Sequence, residues 1–180
     1  MLPQTKNGRK FKSLIPRGKE AFTLMEIGVV VLIIGILAAI VIPIYTTAVD
    51  KSRFTNLMPS VKDIVNAERE YQYGSGAYTN NFQNLNISLG DGQSASQDTV
   101  SLLNGTIQFK VVIEGDFIYV SGTDSRIKNV YKQYLPDSPQ FPGSRQCEAP
   151  QNDERANNLC LSLNGTEIGT NGVNAVYALD

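Results

Sequence analysis

Between Ile27 and Ile44 the chain carries no strongly polar side chain, and across Phe22–Val49 (FTLMEIGVVVLIIGILAAIVIPIYTTAV) Glu26 is the one charged residue. A bilayer core takes about 20 apolar residues in a helix, so this stretch predicts a membrane-spanning helix. It exceeds the roughly 7–15 residue apolar core of a secretory signal, and no A-x-A-like site closes it. Beyond Val49 the pattern becomes amphipathic. Phe54, Leu57, Val61, Ile64, Val65 and Tyr71 recur at spacings of three and four, which places them on one helical face. The two patterns together predict one helix from about Phe22 to about Tyr73, roughly 75–80 Å at ~1.5 Å per residue. Pro43 and Pro59 each remove a backbone donor, so bends or local unwinding are expected there. Gly74-Ser75-Gly76 marks the helix stop.

The second half changes period. Residues 77–105 are rich in Asn, Ser and Gly and read as a long loop with one short helical turn. TIQFKVVIEG (106–115) and DFIYVSG (116–122) alternate in part and flank the turn at Glu114-Gly115-Asp116, predicting a hairpin. RIKNVYKQYL (126–135) reads as a third strand, with a short helix as the alternative. Pro136, Pro139, Pro142 and Gly143 mark a loop, and VNAVYAL (173–179) a final strand or packed tail. The amphipathic helix needs an apolar surface to cover, and a small antiparallel sheet supplies one. The expected class is α+β.

Charge divides the chain further. Lys6, Arg9, Lys10, Lys12, Arg17 and Lys19 against Glu20 give the first 21 residues +5; the remaining residues carry −6, for a total of −1. The basic flank predicts a cytoplasmic N-terminus and an extracytoplasmic body. The acidic body argues against general nucleic-acid binding. The sequence has no histidine, which removes the usual triads, His acid–base chemistry and most zinc sites. No nucleophile–base pair or metal cluster emerges, so neither an enzyme nor a cofactor is expected. Cys147 and Cys160 read as a disulfide in an exported chain, holding a C-terminal loop against the sheet edge; two free thiols are the alternative.

Glu26 needs an account. A carboxylate at the centre of a membrane helix costs about 2.5–3.5 kcal/mol and usually has a partner. If the chain is cut between Ala21 and Phe22, Phe22 gains a free α-amine and Glu26 becomes the fifth residue. The amine of one copy then pairs with Glu26 of a neighbour, cancelling both charges and fixing the stagger between subunits. The rival reading is a carboxylate snorkelling to the headgroups of an ordinary anchor.

The stretch AFTLMEIGVVVLIIGILAAIVIPIY resembles the N-terminus of type IV pilins and type II secretion pseudopilins, with a basic leader, a cleavage site before Phe-Thr-Leu-x-Glu, and an apolar helix. Ala21 to Asp50 carries the resemblance; the rest matches in layout. Gly35 and Pro43 fall where the family has a helix glycine and a helix-loosening proline. The resemblance implies a pilin-like fold: a long N-terminal helix, transmembrane then amphipathic, on a small antiparallel sheet with a disulfide-closed C-terminal loop. It implies a leader at 1–21, a transmembrane and assembly helix at 22–49, its amphipathic half at 50–73, an αβ-loop at 74–105, and the sheet and cysteine loop at 106–180. It implies removal of the leader after Ala21 by a prepilin peptidase, N-methylation of Phe22, storage in the bacterial inner membrane among its lipids, and polymerisation into a helical homopolymer by an assembly platform and ATPase. The product is a surface pilus or, alternatively, the periplasmic pseudopilus of a secretion system. The family mostly has glycine before the cut, where this chain has Ala21. From another class, the chain could be a signal-anchored monomeric binding module. Motility, adhesion or DNA uptake, and major or minor subunit, stay open.

Other motifs have bland readings. Asn86, Asn104 and Asn164 head Asn-x-Ser/Thr matches that read as chance. Asp91 and Asp98 lie in a polar loop where calcium contact competes with simple solvation.

Overall fold

The computed structural model describes residues 23–90 and 93–179. The expected leader at 1–21, which includes Ala21, lies outside the described residues, as do Phe22 and Asp91. The chain divides into two units between Val41 and Ile42.

The first unit is the opening part of helix α1 (Leu24–Thr55). The second holds the rest of α1, helix α2 (Leu57–Ser75), an eight-stranded antiparallel sheet and helix α3 (Glu154–Ser162). Asn56 alone separates α1 from α2. The break falls where Pro59 has no N–H to give the Thr55 carbonyl, and Pro59 occupies the first turn of α2, where proline is tolerated. Pro43 lies inside α1, which continues through it. The Thr46 and Thr47 hydroxyls donate to the Pro43 carbonyl at 2.9 and 3.1 Å. Helix α2 stops at Gly76, whose left-handed φ of 84° suits glycine and whose N–H donates to Gln72 O at 2.8 Å.

The strands are β1 (Ser94–Ala95), β2 (Thr99–Leu102), β3 (Ile107–Glu114), β4 (Phe117–Asp124), β5 (Val130–Tyr134), β6 (Arg145–Pro150), β7 (Thr166–Asn171) and β8 (Asn174–Leu179). Their spatial order is β1-β2-β3-β4-β5-β6-β8-β7. The β3–β4 hairpin turns through Gly115 at φ 55°. RIKNVYKQYL contributes strand β5 rather than a helix, and the final apolar stretch is strand β8. The 77–105 tract, expected as loop with a helical turn, holds a 3-10 turn at Phe82–Asn84 but also β1 and β2. Among Thr99-Val100-Ser101-Leu102 only Val100 is fully buried, which leaves little period to read.

Phe54, Leu57, Val61, Ile64 and Val65 press against Phe109, Val111, Val120 and Tyr131 from the sheet's inner face, forming the core. The closest approach is at Gly122. A Cβ there would lie 3.0 Å from Val61 Cγ2 and 3.2 Å from the Phe109 ring, so glycine lets α2 settle on β4. Phe54 meets Tyr131 edge to face at 5.7 Å.

Candidate functional site

The helix that begins at Leu24 leaves its apolar surface uncovered. From Leu24 to Tyr45 its large apolar side chains are exposed, from 48% at Val29 to 94% at Leu24. Each such side chain gains about 1.5–3 kcal/mol on full burial, so this surface calls for lipid or for other helices. It belongs to the one helical stretch among the described residues long and apolar enough to cross a membrane.

Glu26 stands in the first turn of this helix and is exposed. Its Oε2 accepts from both the Thr23 N–H and the Thr23 hydroxyl at 2.8 Å, and the Thr23 hydroxyl accepts the Glu26 N–H at 3.2 Å. This reciprocal arrangement is a capping box. Its signal in the sequence is the T-x-x-E spacing of Thr23 and Glu26. Glu26 Oε1 accepts no hydrogen bond among the described residues. Gly35 lies roughly 13 Å further along the axis. A Cβ at Gly35, or at Gly28, would meet nothing within 4 Å. No contact among the described residues therefore requires glycine at either position.

Cys147 on β6 and Cys160 on α3 form a disulfide with Cα atoms 5.7 Å apart, and both are fully buried. β6 lies between β5 and β8, so the bridge ties a helix onto an interior strand rather than a loop onto the sheet edge. Asn129 Nδ2, beside the two sulfurs, donates to Ala156 O at 2.8 Å. Helix α3 is capped by Asp153, which accepts the Ala156 N–H at 3.0 Å. Lys128 at 2.6 Å, and then that N–H, hold the Asp153 carboxyl below the usual range. Gly165 closes the turn after α3: a Cβ there would lie 2.6 Å from Cys160 O.

A second tie joins α3 to the end of α1. Arg155 Nε donates to the buried Asp50 carboxylate at 2.7 Å, and Lys51 Nζ donates to Ser162 O at 2.7 Å. No local pattern announces it, because the partners lie more than 100 residues apart. Asp98 pairs with Lys110 at 3.5 Å. Asn104 and Asn164 adopt left-handed φ values of 55° and 61°, a turn role that asparagine fills well.

The type IV wide pilus major component PilA4 of Thermus thermophilus is 31% identical to this chain over 119 residues, which is 64% of this chain and 88% of PilA4. This chain belongs to the type IV pilin family. No family profile matches it, and no solved structure matches it. As a pilin it has the expected fold, a long N-terminal helix on an antiparallel sheet with a disulfide in the C-terminal region. Of the candidate site residues that are described, the fold brings the two cysteines together, while Glu26, Gly35 and Pro43 are spread along α1.

Proposed function

We propose that this pilin is the structural subunit of a type IV pilus-like filament, polymerised through its N-terminal helix. The observation that carries the reading is the long apolar helix left bare within one chain, in a relative of a pilus major component. In this account residues 1–21 are a leader, cut after Ala21 by a prepilin peptidase, and Phe22 is N-methylated. Residues 22–49 hold the subunit in the inner membrane with its N-terminus cytoplasmic, until a platform and ATPase extrude it. Residues 50–73 are the amphipathic half, 74–105 the connecting segment that also supplies β1 and β2, and 106–180 the rest of the sheet with the cysteine loop. Glu26 pairs with the α-amine of a neighbour's Phe22. Gly35 lets helices approach closely, and Pro43 loosens α1 within the filament, which adds extensibility.

Support for the pairing comes from Glu26 Oε1, which stays available after Thr23 has taken Oε2. Glu26→Ala should abolish filaments while insertion and leader removal persist, as read by electron microscopy of the cell surface and immunoblots of membranes. Surface filaments at normal yield from this variant would overturn the pairing. Short periplasmic fibres from the wild-type chain, with no surface filaments, would make it a pseudopilin. An intact leader on the membrane-extracted protein would make it an anchored monomer.

A further inference from the structure

The outer face of the sheet, turned away from α2, holds a cleft of 360 Å³ that the filament account does not use. Directly paired residues share a face. The pairs Tyr119–Tyr134 and Lys132–Gln146, with Glu148–Val176, therefore set one row of side chains opposite to the buried Val120, Tyr131 and Cys147. The floor of the cleft is Lys132, Gln146 and Glu148, all nearly inaccessible. One wall is aromatic. Phe117 stacks on Phe141 at 6.5 Å, Phe141 tilts against Tyr134 at 5.4 Å, and Tyr134 against Tyr119 at 5.2 Å. Phe117 and Phe141 remain 41% and 44% exposed. The opposite wall is β7 at its irregularity between Glu167 and Gly169.

Three features make this a built site. First, Lys132 Nζ contacts Glu148 Oε1 at 2.6 Å and stands 4.7 Å from the Tyr119 ring centroid. A desolvated ion pair is seldom more stabilising than apolar residues of equal volume, so packing alone gives no reason for it. Second, polar capacity is left over. Glu148 Oε1 also takes Asn171 Nδ2 at 3.1 Å, yet Glu148 Oε2 and the 2% exposed Gln146 amide have no hydrogen-bond partner among the described residues. An apolar occupant would seal these groups in at about 1–3 kcal/mol each. Third, Phe141 presents its ring from a left-handed backbone, φ 55°, which costs a bulky residue about 1–3 kcal/mol and recurs at ligand clamps.

Aromatic faces beside a charge-balanced floor with spare donors and acceptors suit a ring with apolar C–H faces and many hydroxyls. We infer that this cleft binds a neutral saccharide, which stacks on Phe117 and Phe141 and hydrogen-bonds to Gln146, Glu148 and Lys132. The floor charges cancel and Glu114 adds a negative charge at the rim, which disfavours anionic sugars. The volume lies in the range of small-molecule pockets.

The test uses the full chain extracted in lauryldimethylamine oxide, a sugar-free detergent. Cellobiose, lactose and N,N′-diacetylchitobiose are titrated by calorimetry and by tyrosine fluorescence, the sequence having no tryptophan. Saturable millimolar binding of at least one disaccharide is expected. Phe141→Ala and Phe117→Ala should each weaken it about three- to tenfold with the circular dichroism unchanged, and Gln146→Leu should weaken it too. No saturable binding of any of the three overturns the proposal. So does binding that both phenylalanine variants leave intact, or tighter binding of glucose 6-phosphate than of the neutral sugars. Each of these outcomes leaves the filament reading standing, since Glu26 and Gly35 take no part.

Discussion

Glu68 is the residue whose environment is most at odds with its charge. It lies on the buried face of α2 at 0% exposure. Oε2 accepts the Thr79 N–H at 3.0 Å, but buried Oε1 has no partner in the described residues. Burial pushes the carboxyl up to about 7, with the Thr79 N–H opposing. The folded state therefore binds more protons than the unfolded state between pH ~4.5 and ~7, and stability must fall as pH rises through that window. The contribution is about 3 kcal/mol, present below the window and gone above it. Glu68→Gln can keep the Thr79 bond with its amide oxygen and carries no charge. It should flatten the slope and stand above the wild type at pH 8 in urea unfolding of the detergent-extracted protein. A wild-type profile that rises between pH 5 and 7 where the variant is flat would sink this assignment. The sequence hides such a residue, because a glutamate at position 68 of an amphipathic pattern reads as solvated.

Among the elements, those with a strong apolar period were legible. The α2 face and the β3–β4 hairpin follow from the spacing of Val61, Ile64 and Val65 and from the turn at Gly115. Helix α3 and strands β6 and β7 were not legible. α3 buries only Ala156, Leu159 and Cys160. β6 alternates Gln146 and Glu148 on one face with Cys147 and Ala149 on the other, but over four residues only and with small apolar side chains, so the signal is too short to read. β7 is exposed throughout. What holds α3 is covalent and ionic: the disulfide, the Asp153 cap and the Arg155–Asp50 pair. The bridge closes a short loop, for which chain entropy gives roughly 3 kcal/mol. Replacing both cysteines with serine should lower unfolding free energy by about that amount, with lost amide protection centred on α3 and β6 in hydrogen exchange. Uniform loss across β3 and β4 instead would show that the bridge does not act locally.

At the scale of the whole molecule, the apolar helix was the feature most legible in the sequence, and what covers it was the least. Glycine at 35 answers to no neighbour among the described residues. Gly35→Leu should therefore leave circular dichroism and thermal unfolding of the monomer unchanged while filament yield on electron micrographs drops severalfold. Unchanged yield would place Gly35 against lipid. Processing gives the second expectation at this scale. Ala21→Gly restores the residue most common in the family before the cut, and its leader should disappear on immunoblots at least as fast as that of the wild type. A marked slowing would mean that the cut lies elsewhere.

The Thr23–Glu26 lock has a bearing on how such a subunit waits. A lone carboxylate surrounded by oil would be driven to pick up a proton or drag in water. Here Glu26 Oε2 already accepts the Thr23 N–H at the head of the helix, while the Thr23 hydroxyl accepts the Glu26 N–H. On the proposed pairing, a neighbour's amine meets the oxygen that this cap leaves open, so addition and release would leave the cap in place and a dismantled subunit fit to return to the bilayer.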